Sequence, residues 1–261
     1  MKKVVACYKW VADEADIRVD DRSRALNFDR VKYKISEYDR NAIEVGTLLN
    51  EKNGWEFVAA TCGAQVEPSL KDALSRGPAN IYYVNNIKLI DADASVTAKI
   101  LAGIIKKIGN VDLVVCGEGS SDEYAQQVGP RLAALLGYAS CTFVNKIDIS
   151  ADGMVAERKL EDGIEVVKIN GPAVVTVLPD INTARIPSLK QILGAKKKPT
   201  TKLTLEDICL DQADCEAKLK TVSVLGTVME RKCVCMNADG LSIKEAAVKL
   251  VKQLDSDGVL G

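Results

Sequence analysis

Through the first half of the chain, apolar β-branched runs alternate with stretches whose apolar residues recur every three or four positions. That is the pattern of parallel strands joined by crossover helices. Strands are predicted near residues 3–8, 55–61, 80–84 and 111–116. After the first, Tyr38, Ala42, Val45 and Leu49 keep helical spacing behind Ser36 and Asp39, which read as an N-terminal capping pair. A second helix is predicted over 68–75 with Gly77 near its C-terminal cap, and a third places Thr97, Ile100, Leu101, Ile104 and Ile108 on one face. A fourth is expected to start near Asp122 and stop at Gly137.

From Ala139 the pattern changes to strands linked by turns, near 141–149, 154–159, 164–169 and 173–178. Ala151-Asp152-Gly153 and Glu161-Asp162-Gly163 are hairpin signals, so the sheet should gain antiparallel members. Beyond Pro179 the chain is irregular, then basic at Lys196-Lys197-Lys198-Pro199, and it closes on a helix with a capping box from Ser242 to Glu245. Ile243, Ala247, Leu250 and Leu254 form the apolar stripe of that helix. The tail shows no core of its own. The expected division is an α/β domain over 1–199 and a docking arm over 200–261.

Composition narrows the function classes. With 261 residues, 47% hydrophobic, the chain can bury a substantial core. A net charge of −1 provides no global field to attract nucleic acid. Apolar runs such as 111–116 and 173–178 fall far short of the roughly 18 residues of a membrane span. After Met1-Lys2-Lys3 too few apolar residues follow for a signal peptide, so a cytoplasmic location without membrane insertion is expected. The eight cysteines are scattered, and Cys233 and Cys235 have the wrong spacing for a zinc knuckle or a redox pair. Reduced thiols and no metal site are expected. The absence of histidine removes the usual general base and excludes a Ser-His-Asp triad.

In an open α/β sheet, ligands bind beyond the carboxyl ends of the strands. Cys7-Tyr8-Lys9, Cys62-Gly63 and Gly117-Glu118-Gly119-Ser120-Ser121-Asp122 occupy those places. The last is small and hydroxyl-rich and leads into a helix N-terminus, where free amides favour phosphate. A plain strand-to-helix turn with a capping Ser or Asp explains the same residues. The loop has neither three spaced glycines nor a P-loop ending, which leaves adenine nucleotide binding without phosphate hydrolysis. Cys7, Cys62 and Cys116 read as small buried hydrophobes, and the lysine run as a solvated face. Ile186-Pro187-Ser188-Leu189 fits either tucked-in anchors or an exposed docking patch.

Pro172-Ala173-Val174-Val175-Thr176-Val177, Ile181-Asn182, Arg185-Ile186-Pro187-Ser188-Leu189 and Ile192-Leu193-Gly194-Ala195-Lys196-Lys197-Lys198 together resemble the signature of electron-transferring flavoprotein beta subunits. Upstream, Tyr8-Lys9, Asn41-Ala42-Ile43-Glu44, Cys62-Gly63, Val111-Asp112-Leu113, Gln126-Gln127-Val128-Gly129 and Glu157-Arg158 agree with it. The resemblance covers residues 1–208, and the tail is similar mainly in length and in its final helix. The loop from Gly119 to Gln127 most resembles the Fix-like and anaerobic acyl-CoA reductase branches.

The resemblance implies a doubly wound, mainly parallel Rossmann-like sheet of the adenine nucleotide alpha hydrolase-like kind. It also implies an arm wrapping an alpha subunit that supplies most contacts to an electron-carrying FAD. The nucleotide contacts carried over are Cys7, Ser36, Tyr38, Asp39, Cys62, Asp122, Glu123, Tyr124, Ala125, Gln126, Gln127, Val128, Gly129, Arg131 and Ala133. AMP and a second FAD, which in some relatives accepts hydride from NADH, both remain open for that site. Leu189, with Pro187, Ser188 and Ile192 around it, would meet an acyl-CoA dehydrogenase-like flavoenzyme, and ferredoxin would be a further redox partner in the bifurcating case. Many relatives carry an acidic residue after the Glu-Arg pair, where this chain has Lys159. With the chemistry on the flavin, no catalytic side chain is required. The rivals are a stand-alone nucleotide-binding regulator of the universal-stress-protein kind and, last, an adenylyl-transferring enzyme whose motifs the sequence lacks.

Overall fold

The computed structural model describes residues 1–150, 153–227, 234–236 and 240–260. Ala151 and Asp152 of the first hairpin signal, and Cys233, lie outside the described residues. The strands of the main sheet are β1 (Lys3–Cys7), β2 (Glu56–Gly63), β3 (Ile81–Asn85), β4 (Leu113–Gly117), β5 (Ala139–Ser150), β6 (Gly153–Lys159), β7 (Ile164–Ile169), β8 (Ala173–Val177) and β9 (Thr200–Lys202). Their order is β7-β6-β5-β8-β4-β1-β2-β3-β9. From β5 to β9 every pairing is parallel, whereas β6 runs antiparallel to both β5 and β7.

The near-continuous apolar runs of the central strands are explained by burial on both faces. Val4 and Ala6 point into one core, with Ala42, Ile43 and Leu49 of α1 (Glu37–Asn53) and Ala73 and Leu74 of α2 (Leu70–Ser75). Val5 and Cys7 point into the other, with Ile100, Leu101 and Ile104 of α3 (Ala94–Ile108) and Leu132 and Ala133 of α4 (Val128–Leu136). The sheet is therefore doubly wound.

Three expectations change. The fourth helix begins at Val128, not near Asp122, because Tyr124 (φ 46°) and Gln126 (φ 57°) adopt left-handed backbone that a right-handed helix cannot include. Gly137 does end it, in a left-handed cap. Ser36 stands at the N-cap of α1 without capping it, since its hydroxyl and the Asp39 carboxylate are bonded elsewhere. Lys198 is no solvated cation: its Nζ donates to the carbonyls of Leu74, Gly77 and Pro78 at 3.0, 3.1 and 2.8 Å, closing the end of α2. Burial holds its pKa below the ordinary lysine value.

The chain forms two compact units. The larger comprises Met1–Arg18 and Asn27–Val224, so the boundary expected at 199/200 falls inside it. β9 pairs with β3 there, and Leu203, Ile208 and Cys215 join the α3-side core. The smaller comprises Val19–Leu26 and Leu225–Gly261. In it Ala25 bridges Leu225, Arg24 Nε donates to the Gly226 carbonyl at 2.8 Å, and α6 (Ile243–Ser256) carries the expected capping box.

Candidate functional site

The loops beyond β1, β2 and β4 meet around one carboxylate. Asp39, in the first turn of α1, is buried, and both its oxygens accept backbone N–H groups: Oδ2 from Lys9 at 2.8 Å and Oδ1 from Gly117 at 3.1 Å. One side chain thus ties the loop after β1 to the end of β4. Burial pushes its pKa up to about 7. The two N–H donors and the Lys9 charge favour the anion, but removal from water outweighs them.

Lys9 Nζ reaches across to Asp122 at 2.8 Å and Glu123 at 3.2 Å. Burial opposes the ammonium charge, yet the two carboxylates hold its pKa above the usual lysine value. Burial likewise opposes the Asp122 charge, and Lys9 nonetheless holds that carboxyl below its ordinary range. Ser121 donates its N–H to Ser36 Oγ at 3.2 Å, and the Ser120 hydroxyl donates to Asp122. The Tyr124 ring lies 5.2 Å from that of Tyr38, tilted by 46°. It covers Gly119 so closely that a Cβ there would come within 2.3 Å of it. Ser121 Oγ is buried with no hydrogen-bond partner, so the loop has unused hydrogen-bonding capacity that suits the polar parts of an adenine nucleotide.

Of the residues singled out in the sequence, Cys7, Ser36, Tyr38, Asp39, Cys62, Asp122, Glu123 and Tyr124 lie in or directly beneath this group of loops. Cys7 hydrogen-bonds Cys116, and that bond and burial raise its thiol pKa, while burial pushes Cys62 up to about 12. Both are held as neutral thiols. Ala125, Gln126 and Gln127 are exposed on the way to α4. Arg131 is exposed and donates twice to Gln127 Oε1, at 3.1 and 2.9 Å. Gly129 lets α4 approach β8, since a Cβ there would meet Thr176 at 2.2 Å. Ala133 is packed into the core, and Val128 leans against it.

Sequence reasoning placed Glu118 in the candidate loop but gave it no role. This buried carboxylate accepts the N–H of Phe143 at 2.8 Å and the hydroxyl proton of Thr176. It fixes a left-handed Phe143 (φ 58°) at the bulged part of β5. Its partners lie 25 and 58 positions away, so local spacing carries no trace of them.

A second group of residues stands on the outer side of α1. Asn41 Nδ2 donates to the carbonyls of Pro179 and Asn182 at 3.1 and 2.8 Å, and Asn182 Nδ2 returns a bond to the Asn41 carbonyl at 3.1 Å. Arg185 donates to both oxygens of buried Glu44, Nη2 at 2.8 Å, and to Glu51 at 2.6 Å, bonds that raise its pKa further. Past this anchor Ile186 is 93% exposed and Leu189 72% exposed, with Leu193 and Ile192 also turned to water and Pro187 half-buried. The apolar groups of this segment are therefore displayed, not tucked in. The short α5 (Leu189–Ala195) is closed by a full capping box from Ser188 to Gln191, and only Ala195 is buried. Lys159 pairs with Asp180 at 3.0 Å.

Among the described residues no cluster of His, Cys, Asp and Glu could hold a metal ion, and no helix is long and apolar enough to cross a membrane. A family model described as Electron transfer flavoprotein domain matches residues 25–208, a span containing both the strand-end loops after β2 and β4 and the exposed α5.

Proposed function

The chain belongs to the electron transfer flavoprotein family, and on that footing we propose that it is the beta subunit of a heterodimeric carrier. In this reading it shuttles electrons on FAD between acyl-CoA-type dehydrogenases and other redox partners. The observation that carries the reading is α5: a capped, anchored helix that shows Leu189 and Leu193 to water has the form of a docking element. It stands on the same chain as a strand-end site whose hydrogen bonds position groups and leave no activated nucleophile.

When bound, the flavin supplies the redox chemistry, and the protein's part is binding and placement. Ser121, the backbone at the start of α4 and Arg131 would hold phosphate oxygens, and the residues beside Asp39 would face the adenosine. AMP and the adenosine of a second FAD, linked to NADH and in the bifurcating case to ferredoxin, both need those contacts. The smaller unit, with α6 and its exposed Ile243, Leu250 and Val251, would dock on the alpha subunit. The family match favours this reading over the stand-alone regulator.

The test is to co-express the chain with a candidate alpha subunit, purify the complex and count the nucleotides released on denaturation. One FAD with one AMP per heterodimer indicates a simple shuttle. Two FAD without AMP indicate an NADH-linked carrier. No complex and no FAD would sink the proposal.

A further inference from the structure

A cleft of about 380 Å³ opens between the first turn of α1, Arg76 beyond α2, and the segment from Asn182 to Ile186. It is separate from the strand-end loops. Three arginines line it, Arg40, Arg76 and Arg185, against one carboxylate, Glu37. Most of these charges are already engaged. Arg185 is held by Glu44 and Glu51, Arg76 Nε by Asp72 at 3.1 Å, and Glu37 by Lys34 at 3.2 Å. Arg40 differs: its Nε is buried with no hydrogen-bond partner, and it acts on the Asp13 carboxylate through space, without an ion-pair contact.

A buried guanidinium N–H left unpaired is costly, and native proteins rarely keep one without something to satisfy it. Here the unpaired donor belongs to a cation, the charged side chains of the lining are three arginines against one glutamate, and the positive end of the α1 dipole lies alongside. The only carboxylate in the lining is already bound to a lysine. Guanidinium groups bind oxyanions through short, charge-assisted hydrogen bonds.

We infer that this cleft is an oxyanion-binding site in which Arg40, supported by Arg76, takes a carboxylate or phosphate group. The anion has two sources: a free phosphorylated or carboxylated metabolite, or an acidic side chain of a protein that docks over Ile186, which forms part of the rim.

The arginine Nε–H signals of the full chain give a direct test by ¹H–¹⁵N correlation spectroscopy during titration with inorganic phosphate, succinate or tetraglutamate peptide. The Arg40 signal is expected to shift and saturate, while that of Arg158, which donates to the Thr142 carbonyl away from the cleft, stays in place. Arg40→Gln should weaken the same titration, followed on Arg76, by at least about tenfold. Tighter binding of phosphate or succinate than of tetraglutamate assigns a free metabolite, and the reverse assigns a docking protein. An Arg40 signal unmoved by all three probes, or one that shifts no more than Arg158, overturns the site. The outcome is independent of flavin content, so it stands or falls apart from the electron-carrier reading.

Discussion

Two segments of the larger unit are fastened to the same helix by opposite electrostatic devices. The loop from Gly117 to Gln127 depends on Asp39, a lone buried carboxylate that accepts two backbone N–H groups. The segment from Asn182 to Ala195 depends on Arg185, which sits between two carboxylates. Burial drives Asp39 toward neutrality near physiological pH, whereas the guanidinium stays charged at any pH the protein survives. The first fastening responds to its surroundings, as would suit the nucleotide site proposed for that loop. The second is permanent, as suits a platform.

The largest expected effect concerns Asp39. Its folded pKa is raised from 3.8 to about 7, so its contribution to stability is fully present below the unfolded value and is lost as pH rises through the folded one. Between pH 5 and 8 that loss should be about 3 kcal/mol. Urea unfolding at both pH values should show it in the parent protein, with most of it gone in Asp39→Asn. Equal losses in the two proteins would mean that Asp39 does not titrate there and would remove the contrast.

Next comes Arg185→Met, which strands Glu44 inside the protein. It should cost about 2–3 kcal/mol, read from urea unfolding of the variant beside the parent protein, because a buried carboxylate is left without its partner. A smaller effect is expected from Ser188→Ala, about 1 kcal/mol, confined to α5 and visible as faster amide exchange at residues 191–193. Leu189→Ala should change the unfolding free energy by less than about 0.5 kcal/mol, since the side chain is mostly in water, while weakening capture of a protein redox partner.

Much of this fold is legible in the sequence because the central strands are buried on both faces and leave unbroken apolar runs, as at Val114 and Val115 or Val174 and Val175. The doubly wound order follows from the helical segments between them. What escapes is whatever depends on partners distant in the chain. Asp39 looks like a capping residue until Lys9 and Gly117 claim its oxygens. Asp122 and Glu123 look like a helix start until Lys9 and the left-handed Tyr124 and Gln126 hold them in a loop. β9 falls in the stretch assigned to the docking arm because Thr200, Thr201 and Lys202 lie on an edge, and the edge pairing alone makes them a strand. The paired strands Trp10–Ala12 and Tyr33–Ile35 are too short for any alternation to register.

That edge pairing has a consequence for how the protein can fail. β9 is the last strand of the sheet and leaves only three polar, lysine-ended residues along the rim. Without it, the five-residue backbone of β3 would present its free N–H and C=O groups beside Ile81 and Tyr83, an open template for a strand from another chain. A protein cut after Pro199 would lose Leu203, Ile208 and Cys215 from the α3-side core together with β9, so self-association through that rim would add to a weakened core. The short strand acts as a guard against aggregation.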